Sequence, residues 1–150
     1  MKHCVLLSGG YDCVAVMNYA PKDADLIFFE YGQLYLEQER EAVANIEART
    51  GRTVKRYRLE IPHNAKARNF TFISYVVSMG YDVVWTGTRN VLPLFDKYKD
   101  SNWFTLKRFA RILRARVRMP VVALPKSAIR LLAARIIPLD LIFSSENFKA

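Results

Sequence analysis

Four short β-type runs alternate with helical patterns over the first 87 residues, and each run ends at a small or polar turn. Val5 to Leu7 ends in Ser8-Gly9-Gly10, and a helical stretch of roughly Asp12 to Tyr19 follows, stopped near Pro21. Leu26-Ile27-Phe28-Phe29 reads as a second strand ending at Tyr31-Gly32. Leu34 to Arg49 is a long helix pattern closed by Thr50-Gly51. Thr53 to Leu59 alternates as a third strand, Asn69 to Ser78 is an apolar helix, and Asp82 to Trp85 is a fourth strand ending at Thr86-Gly87. This order predicts an α/β fold: a parallel sheet with helices on both faces. Further along, Trp103 to Leu113 reads as a helix, Val117 to Leu124 as a fifth strand despite Pro120, and Ser127 to Arg135 as a helix. Phe143 to Phe148 looks like a loose tail, and residues 1–150 fit one domain.

In open parallel sheets, ligands bind beyond the carboxyl ends of the strands. The first such end is Ser8-Gly9-Gly10. Two adjacent glycines let backbone approach an anion and take positive φ, so that successive N–H groups form an anion nest. Ser8 adds a hydroxyl. Asp12, at the helix start, can cap the helix or reach a metal ion bridging phosphates. A plain strand-to-helix turn explains a Gly-Gly pair equally well when it stands alone.

Charge is distributed unevenly. From Ser101 to Leu139 there is no Asp or Glu, but nine basic residues: Lys107, Arg108, Arg111, Arg114, Arg116, Arg118, Lys126, Arg130 and Arg135. The rest of the chain holds 14 basic and 14 acidic residues, so this third carries the whole formal charge of +9. Such a field attracts polyanions, and equally makes a solvated basic face. Helical spacing places Lys107, Arg111 and Arg114 in one stripe and makes core packing the first reading of Trp103, Phe104 and Phe109. Only two cysteines occur, Cys4 and Cys13, which suggests a reducing compartment. No stretch reaches the ~18 apolar residues of a membrane helix, and the first residues lack a signal-peptide core. The expected location is the cytoplasm.

The segment Val5-Leu6-Leu7-Ser8-Gly9-Gly10-Tyr11-Asp12 resembles the Ser-Gly-Gly-x-Asp signature of the PP-loop ATP pyrophosphatases, which have a Rossmann-like, adenine nucleotide alpha hydrolase-like fold. Where that family usually has Ser or Thr, this chain has Cys13, a weaker donor. Other segments resemble the 7-cyano-7-deazaguanine synthases. Phe29-Glu30-Tyr31-Gly32-Gln33 is similar to their Phe-Asp-Tyr-Gly-Gln, and Ala67-Arg68-Asn69 to their Gly-Arg-Asn. Thr86-Gly87 looks like their Thr-Gly or Gly-Gly strand end, Tyr98-Lys99-Asp100 like their Tyr-Pro-Asp, and Pro125-Lys126-Ser127 like their Thr-Lys-Ala, in the same order.

The resemblance implies conversion of a carboxy-deazaguanine to the nitrile with ATP, Mg2+ and ammonia. Asp12, Arg68 and Lys126 would be catalytic. Ser8, Gly9, Gly10, Asp12, Cys13, Tyr31, Gly32 and Gly87 would bind the nucleotide. Those enzymes carry four zinc cysteines near the C-terminus. This chain has Ser144-Ser145 where the first would fall, and its four Cys and His residues are scattered at 3, 4, 13 and 63, so zinc is expected to be absent. It also has only Ile61 to Ala67 before Arg68-Asn69, where the family has a longer connection that helps build the substrate pocket. Two readings stay open: a working enzyme on a deazapurine-like acid, or an eroded relative that binds nucleotide, nucleic acid or an acidic partner through the basic region 107–135. A different PP-loop activity such as RNA thiolation would want a later reactive cysteine, and none follows Cys13. A homodimer also stays open.

Overall fold

The computed structural model describes residues 1–88 and 102–143. Five strands, β1 (His3–Leu7), β2 (Asp25–Gly32), β3 (Val54–Pro62), β4 (Val83–Trp85) and β5 (Arg116–Arg118), form one sheet in the order β3-β2-β1-β4-β5. Every pairing is parallel, with Leu7 opposite Phe28 and Val5 opposite Trp85. The central strands β1 and β2 are nearly continuous apolar runs because both of their faces are covered.

The helices are α1 (Tyr11–Val16), α2 (Leu36–Thr50), α3 (Arg68–Ser78), α4 (Trp103–Ile112) and α5 (Lys126–Ala134). Alternation along the strands splits the core in two. Val5, Leu7, Leu26 and Phe28 pack with α1, α2 and α5 on one face. Cys4, Ile27, Phe29, Val84 and Val117 pack with α3 and α4 on the other. The chain thus winds outward from β1 in both directions, and the strand order reverses between β1 and β4. That reversal is where open α/β sheets place their ligand site.

Several boundaries differ from the sequence expectation. The first helix ends at Val16, not Tyr19, because Asn18 turns its amide onto Ala15 O (3.0 Å) and Leu132 O (2.8 Å), tying a turn to α5. The fifth strand is only Arg116–Arg118 rather than Val117 to Leu124. Pro120 has no N–H to extend a ladder, and Val122 N–H and Leu124 N–H close tight turns on Met119 O and Val121 O. Arg114 is not on the α4 stripe: it lies beyond the helix with φ 58°. Lys107 is half-buried, with its ammonium 5.0 Å from the Trp103 ring centre. Trp103 and Phe109 do pack against the core, whereas Phe104 is 50% exposed. Phe143 is no loose tail. Its N–H donates to Gly9 O (2.9 Å) and its ring lies 5.4 Å from that of Tyr35. The Tyr98-Lys99-Asp100 motif and Ser144 onward lie outside the described residues.

Candidate functional site

The loop from Ser8 to Asp12 leaves β1 at the centre of the carboxyl edge. Gly9 has φ +80°, a conformation that glycine adopts without strain. A Cβ there would stand 2.7 Å from Ala42 Cβ, so Gly9 lets α2 press against the loop. Gly10 is extended (φ −86°, ψ 169°) and caps α1, so Asp12 belongs to the first helical turn and is not the cap. Cys13 stitches the loop from within. Its Sγ accepts from Ser8 N–H (3.2 Å) and donates to Gly10 O (3.2 Å). Ser8 N–H is therefore committed to the protein, and the thiol serves the loop's shape before any ligand.

Two cavities share this loop as a wall. The larger, about 440 Å³, is lined on the loop side by Ser8, Gly10, Tyr11 and Asp12. Tyr31, Gln33, Tyr35 and Glu39 close its β2–α2 side, while His63, Arg68, Lys126 and Arg130 supply cations or imidazole. The smaller, about 310 Å³, lies over β1, β2 and β4, with Leu6, Phe28, Phe29 and Phe72 as apolar walls and Thr86, Gly87 and Thr88 at the strand reversal. Ser8, Gly10, Asp12, Tyr31, Gln33, Glu39 and Arg68 line both.

Most expected site residues thus converge. Ser8, Gly10, Asp12, Tyr31 and Arg68 face both cavities, Lys126 the larger, and Cys13 and Gly87 the smaller. Two of the expected residues lie apart from the cavities. Gly9 lines neither, and its missing side chain makes room for α2. Gly32 lines neither as well: a Cβ there would meet Ile61 O at 2.9 Å, so it serves the contact of β2 with β3. Gly87 has a further role. A Cβ on it would stand 2.8 Å from the Asp12 carbonyl carbon and the Cys13 nitrogen, so the turn after β4 and the start of α1 touch backbone to backbone.

Arg68 is held by two contacts. Its Nη1 donates to His63 O (2.9 Å), and its guanidinium lies 5.2 Å from the Tyr31 ring centre. Burial pushes the Tyr31 phenol up, against the pull of that cation. Ala67, just before it, sits at φ 58°, ψ 31°, a left-handed conformation suited to the glycine of the resembled motif. Gln33 seals the end of β2, its Oε1 accepting from Tyr31 N–H and its Nε2 donating to Phe29 O.

Sequence reasoning missed Glu39. It is 9% exposed, and burial pushes its carboxyl up to about 7, although Gln33 and the Arg68 cation pull the other way. Nothing in the chain marks it, because Glu37, Glu39, Glu41 and Glu47 read alike along a Glu-rich helix. Arg130 was visible only as one of nine cations. The structure sets its guanidinium 5.7 Å from the Tyr11 ring centre, on the cavity wall. Among the described residues, no group of three or more His, Cys, Asp or Glu stands together as a metal site. No described helix is long and apolar enough to cross a membrane.

The fold and the crevice define a Rossmann-like α/β protein with a composite polar site at its strand reversal. Among solved structures, the chain is similar to a predicted subunit of tRNA methyltransferase from Methanocaldococcus jannaschii. The TM-score is 0.51 and the identity 11%, over 89% of this chain and 74% of that one, a likeness of fold. No family model matches the sequence, and no curated protein matches it.

Both thiols should be inert in the native state. Burial pushes Cys4 up to about 12 and also raises Cys13. The thiolate is the reactive form, so a disulfide reagent at pH 8 should titrate neither cysteine in the folded protein and both after denaturation. Rapid reaction of the native Cys13 thiol would contradict the loop geometry around it.

Proposed function

We propose that this chain is an ATP-dependent PP-loop enzyme that activates a carboxylate for attack by ammonia, in the manner of the 7-cyano-7-deazaguanine synthases. The supporting observation is the convergence of Ser8, Gly10, Asp12, Arg68 and Lys126, from three separate segments, on one cavity at the strand carboxyl ends. In this reading the smaller cavity, with its Leu6, Phe28, Phe29 and Phe72 walls, takes the nucleoside, and the loop takes the phosphates that leave as pyrophosphate. Asp12 would help hold the magnesium that arrives with those phosphates, and the ion would offset their charge. Arg68 and Lys126 offset the charge that develops during transfer. The acid binds in the larger cavity, beside Glu39 and Gln33. Its carboxylate oxygen attacks the α-phosphorus as the bond to pyrophosphate breaks. Ammonia then displaces AMP and gives up a proton to leave the amide; a second ATP activates the amide oxygen, which departs with AMP as the nitrile forms.

Calorimetric titration with Mg-ATP tests the first half. Asp12→Asn and Lys126→Gln should each weaken binding about tenfold or more, the scale of one lost charge-assisted contact. Pyrophosphate release on adding 7-carboxy-7-deazaguanine and ammonia tests the second half. ATP binding without release would leave a nucleotide-binding protein, a reading favoured by the commitment of Ser8 N–H to Cys13. Absence of ATP binding at millimolar concentration would overturn both.

A further inference from the structure

The nine cations of the basic third divide into separate groups. Lys126 and Arg130 face the larger cavity, Lys107 lies over Trp103, and Arg135 follows α5. The remaining five, Arg108, Arg111, Arg114, Arg116 and Arg118, are all exposed and surround the β5 edge of the sheet. Arg108 and Arg111 lie on the outer side of α4, opposite the buried Leu106 and Ala110. Arg114 occupies the left-handed position between α4 and β5. Arg116 and Arg118 flank Val117, which points into the α3–α4 core, so the two guanidinium groups leave β5 on its other face. None of the five forms an ion pair with a described residue. Asp82 lies at the start of β4 beside this edge, but its carboxylate is engaged by Lys2 N–H at 2.8 Å.

We propose that this edge binds single-stranded nucleic acid, with the arginines on phosphates and Phe104 as a stacking platform for an unpaired base. Five like charges with no ion-pair partner among the described residues repel one another, and a polyanion relieves that repulsion. All five are arginine, whose fork matches phosphate oxygens bidentately. Arg116 and Arg118 are two residues apart on a strand and so roughly 6.6 Å apart. Arg108 lies one helical turn from Phe104 on the same side of α4. Phe104 is 50% exposed, with its ring edge-on to Trp103 at 4.7 Å, and Ile112 beyond it is 77% exposed. An exposed ring among arginines suits a strand whose bases are free to stack, whereas a duplex offers phosphates but keeps its base faces stacked inside.

The test is fluorescence anisotropy of the full chain with labelled single-stranded and duplex oligonucleotides of about 16 nucleotides. Titrations run between about 50 and 200 mM salt. The single strand should bind more tightly than the duplex, with a steep salt slope. The Arg108→Gln, Arg111→Gln double variant should weaken binding about tenfold or more and flatten the slope by about 1.4, the loss of two phosphate contacts. Phe104→Ala should weaken single-strand binding about tenfold and leave the duplex unchanged. Lys126→Gln, in the cavity, should leave oligonucleotide binding intact. All these positions are exposed, and thermal melts of each variant confirm folding. Unchanged affinity and slope in the folded arginine variant would overturn the proposal, as would a duplex preference. Tighter binding of polyglutamate than of either oligonucleotide would overturn it too, assigning the edge to an acidic protein.

Discussion

Gly9→Ala should destabilise the protein by about 2–5 kcal/mol, and Gly9→Val by more. Two costs combine. A non-glycine residue at φ +80° is strained by about 1–2 kcal/mol, and a methyl group forced against a packed helix costs about 1–3 kcal/mol. In a chain of this length, each kcal/mol lowers Tm by about 2–4 °C, so the alanine variant should melt roughly 10 °C below the parent. The second cost has an identifiable partner, because the new Cβ would stand 2.7 Å from Ala42 Cβ. Ala42→Gly alone costs about 1 kcal/mol of helix propensity. Combined with Gly9→Ala, it should recover the packing cost and leave the dihedral cost, a coupling of at least about 1 kcal/mol. Strict additivity of the two substitutions in thermal melts would show that α2 does not rest on the loop. ATP affinity should fall with Gly9→Val, as the sequence leads one to expect, but through displacement of the loop by α2 and not through a side chain over the N–H groups.

The sheet was readable because its physics is local. Val5 to Leu7, Leu26 to Phe29 and Asp82 to Trp85 are apolar runs that only a doubly covered parallel sheet explains, and each lies within its observed strand or one residue outside it. The place of the loop was equally readable, since Ser8-Gly9-Gly10 breaks the strand pattern just before a helical one. Less local features escaped. Lys126 and Arg130 cannot be told from Arg108 or Arg118 by spacing, because it is the packing of α5 on α1 that turns the first two toward the loop. Gly32 and Gly87 both end strands in the sequence, yet Gly32 faces β3 while Gly87 receives the start of α1. Glu39 is the sharpest case. Its periodicity matches that of a solvated helix face, and only the crossing of α2 over the Ser8–Gly10 loop buries it.

That burial makes Glu39→Gln a stabilising substitution at neutral and alkaline pH. An unfolded glutamate titrates near 4.5, whereas in the fold its carboxyl is pushed up to about 7. Between these values the folded state holds more protons than the unfolded state, so stability falls as pH rises through the window. The cost is absent below about 4.5 and complete above about 7. Its ceiling is on the order of 3 kcal/mol, from 1.36 kcal/mol per pKa unit. Gln has the same shape and no charge to desolvate. It should therefore melt several degrees above the parent at pH 8, with the advantage vanishing near pH 4.5. Other ionisable groups line the cavity too, but they are common to both proteins and cancel in the difference between their pH profiles. A difference that stays flat from pH 4.5 to 8 would mean the carboxyl reaches water. The same charge bears on binding. Above pH 7 an ionised Glu39 faces the cavity that would hold anionic phosphates, and below it a protonated Glu39 becomes a donor to them. Mg-ATP should consequently bind the parent more tightly at pH 6 than at pH 8, relative to the same ratio for Glu39→Gln. An identical ratio in the two proteins would remove Glu39 from the ligand's surroundings, whatever the melts show.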